Sequence, residues 1–108
     1  REAPSLSLIN ELLAEGVVIS AYDPVAMENT ERLIGDKITY AKNQYEVLED
    51  ADALIIVTEW KNFRNPDFDL MSEKMKKKVI FDGRNLYNLE RMQELGFYYN
   101  SIGREVVQ

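Results

Sequence analysis

No cysteine and no histidine occur among the 108 residues. The first absence excludes disulfides and thiolate nucleophiles. The two together exclude Cys/His zinc sites and imidazole acid–base chemistry. Basic charge is scarce as well: thirteen Lys and Arg against nineteen Asp and Glu leave a formal net charge of −6. Such a chain has no basic field to exchange for the counterions of nucleic acid or of an anionic membrane. No apolar run approaches the ~20 residues of a membrane span, and no secretory leader is visible. The expected compartment is the cytoplasm, and neither a metal site nor a catalytic residue is expected within the chain. A first residue of Arg1 rather than Met reads as a piece cut from a longer protein.

What is present is a globular balance, with 45% hydrophobic and 30% charged residues, in a chain of one domain's length. Leu6, Ile9 and Leu13 recur at helical spacing, with Leu8 and Leu12 widening the stripe, so residues 5–15 read as a helix closed by Gly16. Val17 to Tyr22 reads as a strand buried on both faces, stopped by Asp23-Pro24. Helix is expected over Val25–Ile34, strand over Ile38–Ala41, and a helix capped by Asn43 to about Asp50. Ala53–Val57 is the most apolar strand. Asn65-Pro66 looks like an N-cap and first-turn proline opening a helix through Met75. Val79–Phe81 is a strand, Leu89, Met92 and Leu95 mark a helix closed by Gly96, and Phe97–Ile102 is the last strand.

Helix–strand alternation with short connections predicts an α/β fold: a Rossmann-like, three-layer αβα arrangement around a mainly parallel sheet. A doubly wound sheet normally starts with a strand, whereas this chain starts with a helix. The first strand and its turn are therefore expected upstream of Arg1, which also accounts for the lack of a Gly-rich phosphate fingerprint.

Ligands of open parallel sheets bind beyond the carboxyl ends of the strands. Those ends carry Asp23-Pro24, Lys42-Asn43, Thr58-Glu59-Trp60, Asp82-Gly83-Arg84-Asn85 and Gly103-Arg104, with Arg1 on the same edge. Guanidinium groups placed there suit an anion, because they fork onto phosphate oxygens. Asp23 fits a ribose contact or a simple turn, and the turn is favoured. Thr58-Glu59-Trp60 fits a pocket wall equally with Thr bonding backbone and Trp covering the sheet's end. Asp82 is expected to orient Arg84 as an ion pair. Glu73 to Lys78 reads as a solvated helix end, and Tyr98-Tyr99 as strand aromatics facing opposite sides.

Six motifs occur in order: Arg1-Glu2-Ala3-Pro4-Ser5, Ala21-Tyr22-Asp23-Pro24, Ala51-Asp52-Ala53, Thr58-Glu59-Trp60, Phe81-Asp82-Gly83-Arg84-Asn85 and Ser101-Ile102-Gly103-Arg104. Together they resemble the C-terminal, UDP-binding domain of the UDP-glucose/GDP-mannose 6-dehydrogenase family, over essentially all of residues 1–108. The resemblance implies a longer enzyme with an N-terminal NAD-binding Rossmann domain, a central dimerisation region and this terminal domain. It implies oxidation of a nucleotide sugar's C6 alcohol to a carboxylate, in two hydride transfers to NAD, through a cysteine thioester formed upstream of this chain. The isolated chain is then expected to be inactive, and the full enzyme a homodimer or larger.

Two residues carry over from the family pattern. Arg84 matches the arginine that contacts the UDP-sugar, and Arg1 the arginine that reaches bound NAD. Within the family, UDP-glucose, UDP-N-acetylmannosamine and GDP-mannose stay open as substrates. A non-catalytic Rossmann-like module binding a nucleotide or a protein is the alternative from another class.

Overall fold

The computed structural model describes residues 2–108, with side chains from Leu6 onward. Its contacts cluster into two compact units, one ending at Val47 and one spanning Leu48–Gln108.

The first unit opens with helix α1, Glu2–Ala14. Leu6, Leu8, Ile9, Leu12 and Leu13 are its half-buried side chains, the stripe expected from the spacing. Gly16 ends it at φ 84°, a left-handed conformation that costs glycine nothing. The Gly16 amide donates to the Leu13 carbonyl and the Val17 amide to that of Leu12, the paired closure of a Schellman motif. That closure shortens the strand that follows. Val17 is committed to the helix end and Val18 is 95% exposed, so β1 covers only Ser20–Ala21 and is not the doubly buried strand expected from Val17 on. Helix α2, Met27–Ile34, follows an Asp23 turn, and β2 is Thr39–Tyr40. The two strands pair in parallel, Ser20 with Thr39 and Ala21 with Tyr40, and Ile34 and Ile38 are buried. Asn43 caps as expected, its Oδ1 accepting from the Tyr45 and Glu46 amides. It starts only a short 3-10 turn, Glu46–Leu48, and Asp50 already stands at a left-handed φ of 56°.

The second unit carries β3 (Leu54–Ile56), β4 (Val79–Asp82) and β5 (Tyr98–Ser101), parallel and in the order β3-β4-β5. Between β3 and β4 lie two short helices, α3 (Lys61–Arg64) and α4 (Phe68–Lys74). The single helix expected from Asn65-Pro66 is thus corrected. Asp67 is the cap, its carboxylate accepting from the Leu70 amide. Asn65 instead closes α3, leaving Pro66, which has no amide to donate, between the two helices. Helix α5, Leu89–Leu95, is ended by Gly96 as the sequence suggests, and is capped by Asn88, whose side chain accepts from the Arg91 amide.

Strand alternation sorts the sheet into a closed and an open face. Ile56, Ile80, Asp82, Tyr99 and Ser101 are buried, together with Met71 of α4 and Met92 of α5. Ile55 and Phe81, paired in register, are each 40% exposed. The Lys run is split by this packing: Met75 is buried, and the Lys78 ammonium donates to the Leu95 carbonyl at 2.6 Å, where a cation suits the C-terminus of α5. Within each unit, parallel ladders with helices between successive strands make the chain Rossmann-like α/β, as expected. One antiparallel bridge, Tyr99 with Val107, is added at the C-terminus.

Ile80 has no exposed surface in the central strand of this sheet. Truncating it to Ala is expected to cost about 2–5 kcal/mol, read from urea unfolding of the second unit by Trp60 fluorescence. A cost below about 1 kcal/mol would show that the packing around β4 is not the unit's core.

Candidate functional site

The carboxyl ends of β3, β4 and β5 lie side by side, with Ile56 opposite Asp82 and Asp82 opposite Ser101. The turn after β4 is built on Asp82, which is 2% exposed. Its Oδ1 accepts from the Arg84 amide at 2.8 Å and its Oδ2 from the Leu86 amide at 2.7 Å. Side-chain acceptance from amides two and four residues on bends the chain sharply and leaves Arg84 at the apex. The Gly83 amide donates to the Ile56 carbonyl at 2.9 Å. A Cβ at Gly83 would stand 3.1 Å from that oxygen, so glycine permits the close approach of the turn to β3. Asn85 then takes φ 56°, a conformation asparagine tolerates, and its side-chain amide donates to the Ile102 carbonyl at 3.0 Å. Each residue of Asp82-Gly83-Arg84-Asn85 therefore has a separate geometric task, and Arg84 is the one that presents a charged side chain to solvent.

Beneath the turn runs a closed polar network. The Tyr99 hydroxyl donates to Asp82 Oδ2 at 2.6 Å and accepts from the Tyr87 amide at 3.1 Å and from Arg104 Nη2 at 2.8 Å. One proton and two lone pairs are thereby used in full. Arg104 also donates to Ser101 Oγ at 2.9 Å and to the Tyr87 carbonyl at 3.0 Å, with its guanidinium 5.5 Å from the centre of the Tyr99 ring. Burial, reinforced by the hydrogen bond to Asp82, pushes the Tyr99 phenol up to about 12.

The structure departs from the sequence reading at two arginines. Asp82 does not pair with the Arg84 guanidinium; it holds that residue's backbone, and Arg84 Nη2 lies 3.4 Å from Glu59 Oε1. Arg104 is drawn into the network beneath the turn, where three of its five N–H donors go to Ser101, Tyr87 and Tyr99. Glu59 also pairs with Arg64. Asp23 behaves as the favoured turn residue, accepting from the Val25 and Ala26 amides. Trp60 is half-buried, its indole N–H enclosed with no partner among the described residues. Tyr98 and Tyr99 do face opposite sides: Tyr99 is fully buried, and Tyr98 sits 6.0 Å from Phe81 on the open face. Arg1, assigned to NAD, lies outside the described residues. Arg64 and Tyr99 carry no signal in the sequence that marks them for the site. Arg64 falls in no motif and in no element expected from the sequence, and Tyr99 reads as core until its hydroxyl's partners are known.

Among the described residues no group of acids could hold a metal, and no helix is long and apolar enough to cross a membrane. Residues 1–89 match the UDP binding domain of the UDP-glucose/GDP-mannose dehydrogenase family. A UDP-glucose 6-dehydrogenase of Pseudomonas aeruginosa is 47% identical over 109 residues, covering 96% of this chain and 24% of that protein. One of Bacillus subtilis is 38% identical over 108 residues, covering 100% of this chain and 23% of that protein. The chain thus spans about a quarter of the length of these relatives. A solved UDP-D-ManNAc dehydrogenase from Pyrococcus horikoshii shares the fold, with a TM-score of 0.55 at 20% identity over 90% of this chain and 29% of that one.

Replacing Tyr99 by Phe removes only the hydroxyl that joins Asp82, Tyr87 and Arg104. The expected loss of stability is about 1–3 kcal/mol, measured by denaturant unfolding at neutral pH. The wild-type phenol is raised from 10.0 to about 12 by folding, so the folded state keeps a proton that the unfolded state releases. That contribution is whole below pH 10 and is lost as pH rises from 10 towards 12. Tyr99→Phe should flatten this alkaline slope; an unchanged slope would show that Tyr99 is not its source.

Proposed function

The chain belongs to the UDP-glucose/GDP-mannose dehydrogenase family, and on that premise we propose that residues 1–108 are the C-terminal UDP-binding domain of an NAD-dependent UDP-glucose 6-dehydrogenase. The observation that carries this reading is the Asp82-built turn, which presents Arg84 at the carboxyl edge of the parallel sheet while its backbone is held rigid. A guanidinium fixed in this way suits the phosphates of a UDP-sugar. UDP-glucose is favoured over UDP-N-acetylmannosamine and GDP-mannose by the identity of 47% and 38% to UDP-glucose 6-dehydrogenases.

In this reading the whole enzyme converts UDP-glucose to UDP-glucuronate in two hydride transfers, using a cysteine outside these residues. NAD supplies the hydride acceptor when bound. The five glycines, at 16, 35, 83, 96 and 103, lie too far apart for a dinucleotide fingerprint. NAD therefore falls mainly to the N-terminal domain, and the proposed contribution of this chain is Arg1. The domain acts by positioning: holding the nucleotide at its far end orients the C6 alcohol and limits its freedom before reaction. The chain by itself then lacks the groups for turnover, and the complete enzyme is a homodimer or larger assembly.

Arg84→Ala in the intact enzyme is expected to raise the KM for UDP-glucose at least about tenfold with the KM for NAD unchanged, measured by NADH formation. Unchanged KM and kcat for UDP-glucose would overturn the assignment. A preference for UDP-N-acetylmannosamine or GDP-mannose in the same assay would keep the domain and change the sugar.

A further inference from the structure

Two arginines from different elements converge on one carboxylate at the strand ends. Glu59 comes from the loop after β3, Arg64 from the end of α3 and Arg84 from the turn after β4. Arg64 Nη2 donates to Glu59 Oε2, while Arg84 Nη2 lies 3.4 Å from Glu59 Oε1. Taken together, these two guanidiniums and one carboxylate carry a net charge of +1, in a chain whose net charge is −6. The three side chains are 55%, 34% and 50% exposed for Arg64, Glu59 and Arg84, so an anion reaches them from solvent. Ion pairs of this exposure are weak and exchange readily.

A carboxylate bridging two guanidiniums and a phosphoryl group bridging them share one pattern, two acceptor oxygens on one centre facing two forked donors. The phosphoryl group carries the greater negative charge and neutralises the pair more fully. Arg64 also lines an open cleft of about 340 Å3, whose wall includes Asn65, Asn88 and Arg91, so further donors stand beside it. Resting on the reading that Arg84 contacts the UDP-sugar, we propose that Arg64 is a second phosphate-binding residue of that site. The Glu59 carboxylate holds the seat that the phosphoryl oxygens of a nucleoside diphosphate take on binding.

The test is calorimetric titration of the intact enzyme with UDP and with uridine, which lacks the phosphates. Arg64→Ala is expected to weaken UDP about tenfold and to leave uridine unchanged. Glu59→Gln, similar in shape but neutral, removes the competitor and is expected to tighten UDP severalfold. A UDP affinity within about twofold of wild type in Arg64→Ala, or an equal loss for uridine, would overturn the role of Arg64. Weaker UDP binding by Glu59→Gln would overturn the role of Glu59. Arg84→Ala separates the two levels. If it weakens UDP while Arg64→Ala does not, only this proposal falls; if neither variant weakens UDP, the functional reading on which it rests falls as well.

Discussion

The buried Asp82 carboxylate is the constraint on which the second unit's ligand edge depends. A carboxyl group removed from water must find donors within the protein. Asp82 finds three: the amides of Arg84 and Leu86 and the hydroxyl of Tyr99. The two amides force β4 into a sharp turn. The hydroxyl ties that turn to β5, and through Arg104 to the backbone of Tyr87. A polar requirement of the core thus sets the position of an exposed side chain, and Arg84 stands on a rigid base without donating its guanidinium to that base.

The arginines near this edge divide their work accordingly. Arg104 turns three of its N–H donors into the network, where they meet acceptors from two segments of chain. Arg84 and Arg64 share a single exposed carboxylate, an arrangement that a more highly charged anion can displace. A domain with a net charge of −6 attracts no polyanion in general, so recognition of a phosphorylated ligand has to be local. In the proposed site two guanidiniums, one at the end of α3 and one in the turn after β4, provide that locality. In the proposed reading they bind and orient the nucleotide, and the cysteine that forms the thioester lies outside these residues.

Much of this architecture was legible in the sequence. The α1 stripe, the closures at Gly16 and Gly96, and β4 and β5 all follow from periodicity and local turn chemistry. The failures have physical causes. Val17 is β-branched and apolar, but its amide closes α1, so the strand starts later. Asn65-Pro66 has the form of a helix start, yet Asp67 beyond the proline makes the capping bond. Asp82 and Arg84 look like an ion pair two residues apart, but the carboxylate turns inward to a tyrosine 17 residues away. That partner becomes visible only with the register of β4 against β5. The convergence of Arg64 and Arg84 on Glu59 needed the strand order, since Glu59 and Arg84 are 25 residues apart. The motifs named the family, and the geometry gave its residues their tasks.

The central claim is that the Asp82-built turn presents Arg84 to the phosphates of a nucleotide sugar. The most direct measurement is a crystal structure of the intact enzyme with UDP bound. The account predicts the Arg84 guanidinium in hydrogen-bonding contact with the nucleotide, drawn away from Glu59, with the Asp82–Tyr99–Arg104 network beneath it unchanged. Arg84 still paired to Glu59, with the nucleotide bound elsewhere, would contradict it.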